Sequence, residues 1–135
     1  MSRSRSFLAL DIGEKRIGAA VGDDLVKIAV PFETIEVDGT ELERIARLVI
    51  DERVDTIIVG YPRNQSGEAT AQTAYVEKFA KQLVDMTEND IIFQDESLTS
   101  VLAEQRLKEY GKPYSKADID AQAAALILQD YLERL

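Results

Sequence analysis

The stretch "LALDIGEKRIGAAVGD", Leu8 to Asp23, decides how this chain folds. An apolar run, Leu8–Leu10, is broken by Asp11. Glycines follow at Gly13, Gly18 and Gly22, with the basic pair Lys15 and Arg16 between the first two. A strand that reads as buried yet ends in a carboxylate leaves three roles open for Asp11. It caps a turn, as Asp near Gly does; it stands beside a phosphate-cradling loop; or it holds a hard cation. The glycines match neither G-x-G-x-x-G nor a Walker loop, since no G-K-[ST] follows. Their plain alternative is a β-hairpin, with Gly13 giving the turn its backbone freedom and Gly18 and Gly22 permitting close packing.

Working outward, Phe7–Leu10, Ile17–Gly22 and the segment near Phe32–Val37 read as three strands joined by hairpins. The period then changes. "TELERIARLVIDERV" places Leu42, Ile45, Ala46 and Val49 on one helical face, and Thr40 with Glu43 has capping-box spacing. "TIIVG", Thr56–Gly60, reads as a strand buried on both faces, ended by Gly60 and Pro62. After the turn-forming loop "YPRNQSGEA" comes a helix with Tyr75, Val76, Phe79, Ala80 and Leu83 in register. "DIIFQ" reads as another buried strand. A helix over Thr99–Tyr110 is expected to stop at Gly111 before Pro113, and Ser115 begins a last helix whose apolar face includes Ile119, Ala123, Leu126, Ile127 and Tyr131. The order β-β-β-α-β-α-β-α-α predicts an α/β domain over residues 1–135, a mixed five-stranded sheet with helices on its faces.

Composition narrows the chemistry. The 135 residues include no Cys and no His, which excludes thiolate nucleophiles, Cys-ligated zinc and Ser-His-Asp catalysis. Carboxylates with an oxygen-loving cation are the natural alternative. A net charge of −9 argues against a generic nucleic-acid coat protein but not against a nuclease, whose metal site is itself acidic. The apolar runs are too short to span a bilayer. The basic, then apolar start "MSRSRSFLAL" lacks the h-region and cleavage site of a signal peptide, so a cytoplasmic location away from membranes is expected.

Two acidic sites fall after strands, Asp11 after the first and Asp95–Glu96 after the last; Asp120 lies in the first turns of the final helix. Parallel, neighbouring strands would bring Asp11 together with one of Asp95 or Glu96, outside the carboxyl ends of the sheet. Clustered carboxylates repel one another unless a cation neutralises them, and Mg²⁺ or Mn²⁺ suits all-oxygen ligands. Asp118 has a structural explanation of its own, because "SKAD" from Ser115 is a capping-box pattern; it reads as a cap first and a ligand second.

Four stretches, "LALDIGEKRIGAAVGD", "IIVGYPRNQSG", "DESLTSVLAEQRL" and "DIDAQAAALILQDYL", together resemble the YqgF (RuvX) family, RuvC-like members of the RNase H-like superfamily described as Holliday-junction resolvases or pre-16S rRNA nucleases. The resemblance spans Phe7 to Leu132. It implies sheet order 3-2-1-4-5 with strand two antiparallel, and a divalent-metal nuclease site with Asp11, Glu96 and Asp120 as catalytic metal ligands. It matches Lys15 and Arg16 to the family's basic pair, and Gly60, Pro62, Asn64 and Gly67 to its "VG-P-N-G" loop. Three positions depart from the pattern: Ser97 stands where the family has Arg, Ser100 replaces a Thr, and Gly22 replaces a frequent Ser.

The expected activity is therefore Mg²⁺- or Mn²⁺-dependent cleavage of structured nucleic acid, foremost at the 5′ end of pre-16S rRNA. Lys15, Arg16, Arg63 and Asn64 would hold the substrate. Two rivals stand beside it. One is a dimeric Holliday-junction resolvase acting on branched DNA, which leaves monomer against homodimer open. The other is a non-catalytic, ribosome-associated factor that keeps the fold.

Overall fold

A computed structural model describes residues 4–62, 70–96 and 99–135. Its elements are β1 (Ser6–Ile12), β2 (Arg16–Asp23), β3 (Val30–Glu36), α1 (Glu41–Asp51), β4 (Thr56–Pro62), α2 (Ala71–Met86), β5 (Asp90–Glu96), α3 (Thr99–Tyr110) and α4 (Lys116–Glu133). The sheet order is β3-β2-β1-β4-β5. β2 runs antiparallel to β1 and β3, whereas β4 pairs parallel with β1 and β5. This is the RNase H-like arrangement that the family resemblance implied.

β1 lies at the centre because both its faces are apolar. Side chains alternate along a strand. Leu8, Leu10 and Ile12 enter one core with Ile45, Leu48 and Val49 of α1 and Val76, Phe79 and Leu83 of α2. Phe7 and Ala9 enter a second core with Ala124, Ala125, Ile127, Leu128 and Leu132 of α4. The same alternation sends Asp11 to the α4 face. The Phe7 and Tyr131 rings meet edge to face, 5.4 Å apart, and Gln129 fixes the far end of the helix by accepting from Ala29 N and donating to the Lys27 carbonyl.

Four local expectations are corrected. β5 is not a doubly buried strand: it forms the sheet edge, where Phe93 is 44% exposed. β1 and β5 each continue past the expected end, so Asp11 and Glu96 lie within their strands, still paired. Thr40 makes no capping bond to α1; its hydroxyl donates to Asp38, and the Glu41 carboxylate, not that of Glu43, accepts from Asp38 N and Gly39 N. Gly13 is not in the left-handed region. It serves the hairpin by proximity, because its N–H donates to the Arg16 carbonyl at 3.0 Å and a Cβ there would lie 2.7 Å from that oxygen.

Other signals hold. Ser115 and Asp118 form the expected reciprocal cap on α4, and α3 ends at Gly111 with φ +73°. A second such box, Thr70 with Thr73, starts α2. Among the described residues no helix is long and apolar enough to cross a membrane.

Candidate functional site

The site grows from the last paired turn of β1. Asp11 is paired with Gly18 of β2, and on the other side the register that joins Leu10 to Val59 sets it beside Gly60 of β4 one residue further on. A residue without a side chain therefore stands on each neighbouring strand. Each gap is filled from elsewhere in the chain, one by the backbone of Asp120 and the other by the carboxylate of Glu96. At Gly18 a Cβ would collide with the Asp120 carbonyl, so only glycine lets α4 pack this close. At Gly60 a Cβ would come within 2.5 Å of Glu96 Oε2 and 2.6 Å of Ile127 Cδ1. β5 brings Glu96 there because Glu96 pairs with Pro62, two residues beyond Gly60, on the same sheet face.

The electrostatics follow from this crowding. Burial, with the Asp120 charge added, pushes Asp11 from 3.8 to about 6. Burial, with the Asp11 charge added, pushes Glu96 from 4.5 to about 8. Glu96 Oε2 is buried with no hydrogen-bond partner. A buried unpaired carboxylate oxygen is costly, and such groups call for a proton or a cation. Asp120 is satisfied differently, since Arg16 Nε donates to its Oδ2 at 2.6 Å. That contact turns Asp120 toward β2. Among the described residues no three acids stand together as a ready-made cage for a metal ion.

The donor set nevertheless fits a hard divalent ion: every candidate ligand is a carboxylate, one oxygen is orphaned, and Asp11 feels the charge of Asp120 while its own charge acts on Glu96. The two remaining acids are accounted for. Asp118 accepts from Ser115 N and Oγ as part of the helix cap. Asp95 alternates to the sheet face opposite Glu96. An open cleft of ≈ 380 Å³, whose lining includes Glu96, Leu102, Leu126, Ile127, Asp130 and Arg134, gives access from the β5 side.

Of the expected substrate contacts, Lys15 is exposed on the β1–β2 turn, and Arg16 is half-buried against Asp120. Arg63, Asn64, Gly67 and Ser97 lie outside the described residues. Gly22 packs between the Ile28 carbonyl and Leu128 and Leu132 of α4, with 3.0–3.3 Å left for a Cβ, so the small residue there suits a tight helix contact.

A model of the family described as "RuvX: Holliday junction resolvase" matches residues 5–134. The chain belongs to the RuvX family. A relative from Chloroflexus aurantiacus, named "Putative pre-16S rRNA nuclease", is 44% identical over 131 residues, covering 94% of this chain and 86% of that protein. Among solved structures, the RuvC of T. thermophilus in complex with Holliday junction substrate superposes with a TM-score of 0.57 at 15% identity, covering 96% of this chain and 94% of that one. The fowlpox virus resolvase bound to Holliday junction DNA gives 0.59 at 13% identity, covering 96% and 97%. At these identities the two structures establish the shared fold. The RuvX match is what ties the chain to a family.

Two features of the site escaped the sequence reading. Gly60 entered only as a strand end and as part of a family motif, whereas it lies inside β4, and a glycine inside a buried β run is itself a sign of close approach. The Arg16–Asp120 pair, 104 residues apart, leaves no sequence signal.

Proposed function

We propose that this RuvX chain is a divalent-metal-dependent endonuclease, a single nuclease domain over residues 1–135, acting in the cytoplasm on structured nucleic acid, foremost the 5′ end of pre-16S rRNA. The observation that carries the reading is Asp11 between two glycines, with Asp120 reaching one gap and Glu96 the other. The names of the family's relatives support the RNA substrate.

In this reading Asp11, Glu96 and Asp120 are the ligands of Mg²⁺ or Mn²⁺. The bound cation supplies charge neutralisation at the scissile phosphate and an activated water. The protein's own parts bind and orient. Burial favours the protonated form of Glu96 up to about pH 8 and of Asp11 up to about pH 6, until a cation replaces the protons. Lys15 and Arg16, with Arg63 and Asn64, which follow β4 in sequence, hold the flanking phosphates.

The test is cleavage of a pre-16S rRNA fragment and of a four-way DNA junction with Mg²⁺ or Mn²⁺, comparing the parent with Asp11→Asn. Equal activity in the two would remove the assignment. The family description and the junction-bound neighbours favour a second substrate reading, branched DNA. A symmetric dimer that nicks junctions in preference to rRNA precursors would establish it. A parent that binds neither metal nor cuts, yet associates with ribosomes, would indicate a non-catalytic factor.

A further inference from the structure

We infer that Arg16 is a positioning residue that occupies Asp120 in place of a divalent cation, so that completing the metal site and binding a substrate phosphate are coupled through one guanidinium. The inference rests on the metal-nuclease reading above. Three observations carry it. Arg16 Nε donates to Asp120 Oδ2 at 2.6 Å, with side chains 30% and 22% exposed, so neither group is fully hydrated and each depends on the other. Among the described residues the acids do not form a three-ligand group while this contact stands. And the α4 backbone at Asp120 packs directly against Gly18 of β2, so rotation of the Asp120 side chain is the smallest movement that redirects its carboxylate.

The location of Arg16 supplies the other half of the exchange. It follows the exposed Glu14–Lys15 turn at the start of β2, so Lys15 sets a second cation beside it at the surface. A guanidinium is a planar fork of donors suited to phosphate as well as carboxylate. A phosphate that draws Arg16 away frees Asp120 Oδ2 and removes a positive charge that opposes a second cation. By linkage the effect is reciprocal: the ion favours the form in which Arg16 is free to take phosphate.

The experiment is calorimetric titration of the full chain with Mn²⁺ at pH 8, alone and with a nuclease-resistant 2′-O-methyl RNA hairpin, correcting for Mn²⁺ bound by the hairpin itself. Arg16→Gln is expected to bind Mn²⁺ on the order of fivefold tighter than the parent without RNA, within the usual range of such couplings. It is also expected to lose most of the enhancement that the hairpin gives the parent. Arg134→Gln removes an equal charge from the far end of α4 and should change Mn²⁺ affinity by less than about twofold, since that exposed charge is screened. Weaker or unchanged binding by Arg16→Gln would overturn the inference, the former by making Arg16 a support for the ligand rather than its rival. If Arg16→Gln does not fold, the parent labelled at arginine gives the answer. Its Arg16 Nε–H resonance should shift and lose protection from exchange on adding Mg²⁺, and a resonance that stays fixed while Mg²⁺ binds refutes the exchange. A parent that binds no ion in either condition fells the metal reading itself, and the inference with it.

Discussion

Glu96 lies over Gly60: its Oε2 occupies the space that a Cβ on that residue would need, 2.5 Å away, and no hydrogen-bond partner reaches the oxygen. The glycine on β4 is thus the seat of a carboxylate from β5. Gly60→Ala should displace Glu96 and press on Ile127 Cδ1, at an overpacking cost of roughly 1–3 kcal/mol. The expected result is a folded protein with a lowered melting temperature and at least about tenfold slower cleavage, the loss expected for a misplaced catalytic group. Normal cleavage by a folded Gly60→Ala protein would show that Glu96 does not need that seat.

Gly18 is stricter, because its neighbour is helix backbone rather than a side-chain end. Gly18→Ala drives a Cβ into the Asp120 carbonyl and forces α4 off the sheet, loosening the packing of its fully buried Leu128 and Leu132. A destabilisation of about 3 kcal/mol or more is expected from denaturant titration. Gly39→Ala makes the comparison: nothing lies within 4 Å, but φ is +98°, so only backbone strain of roughly 1 kcal/mol applies. Equal costs for the two would contradict the packing account.

The buried acids set a pH dependence whose sign is fixed by their shifts. Asp11 rises from 3.8 to about 6 and Glu96 from 4.5 to about 8, so the folded state binds more protons than the unfolded chain between those values. Stability from these groups is fully present below about pH 4 and is lost as pH rises through 6 and then 8. Glu96→Gln removes the larger part. Without metal, the stability of Glu96→Gln relative to the parent should improve from pH 5 to pH 9, by up to a few kcal/mol at about 1.4 kcal/mol per pH unit. A difference that stays flat across that range would mean that Glu96 is not held protonated.

Metal should replace those protons. At pH 8, Mn²⁺ in about hundredfold excess over its dissociation constant should stabilise the parent by roughly 2.7 kcal/mol in thermal melts. Proton release should accompany binding. Asp11→Asn should be more stable than the metal-free parent and insensitive to Mn²⁺. An equal thermal shift in both proteins would place the ion elsewhere.

The two cap signals invite a direct contrast. Ser115→Ala should cost about 1 kcal/mol, since Ser115 Oγ accepts from Asp118 N at the start of α4. Thr40→Ala should cost less than about 0.5 kcal/mol, because the Thr40 side chain caps nothing and its hydroxyl donates to exposed Asp38. Chemical denaturation of the two variants separates them.

What the sequence determined by itself was local or periodic. Alternation and helical spacing placed the strands and helices. The Ser115–Asp118 box and Gly111 bounded the last two helices, and the absence of His and Cys left carboxylates as the chemistry. These signals act between residues close along the chain, so they survive without a structure. The Thr40–Glu43 pattern shows their limit, because Asp38 took both the Thr40 N–H and the Thr40 hydroxyl that the box would have used. The edge position of β5 likewise depended on which strand found no further partner. Only the tertiary structure decided what surrounds Asp11. Register set Gly18 and Gly60 on either side of it; the glycines admitted Asp120 and Glu96, and burial raised Asp11 and Glu96. Arg16 then took Asp120 across 104 residues of chain. Such contacts depend on how helix and sheet pack at a distance of one missing Cβ, and no spacing along the sequence records that distance.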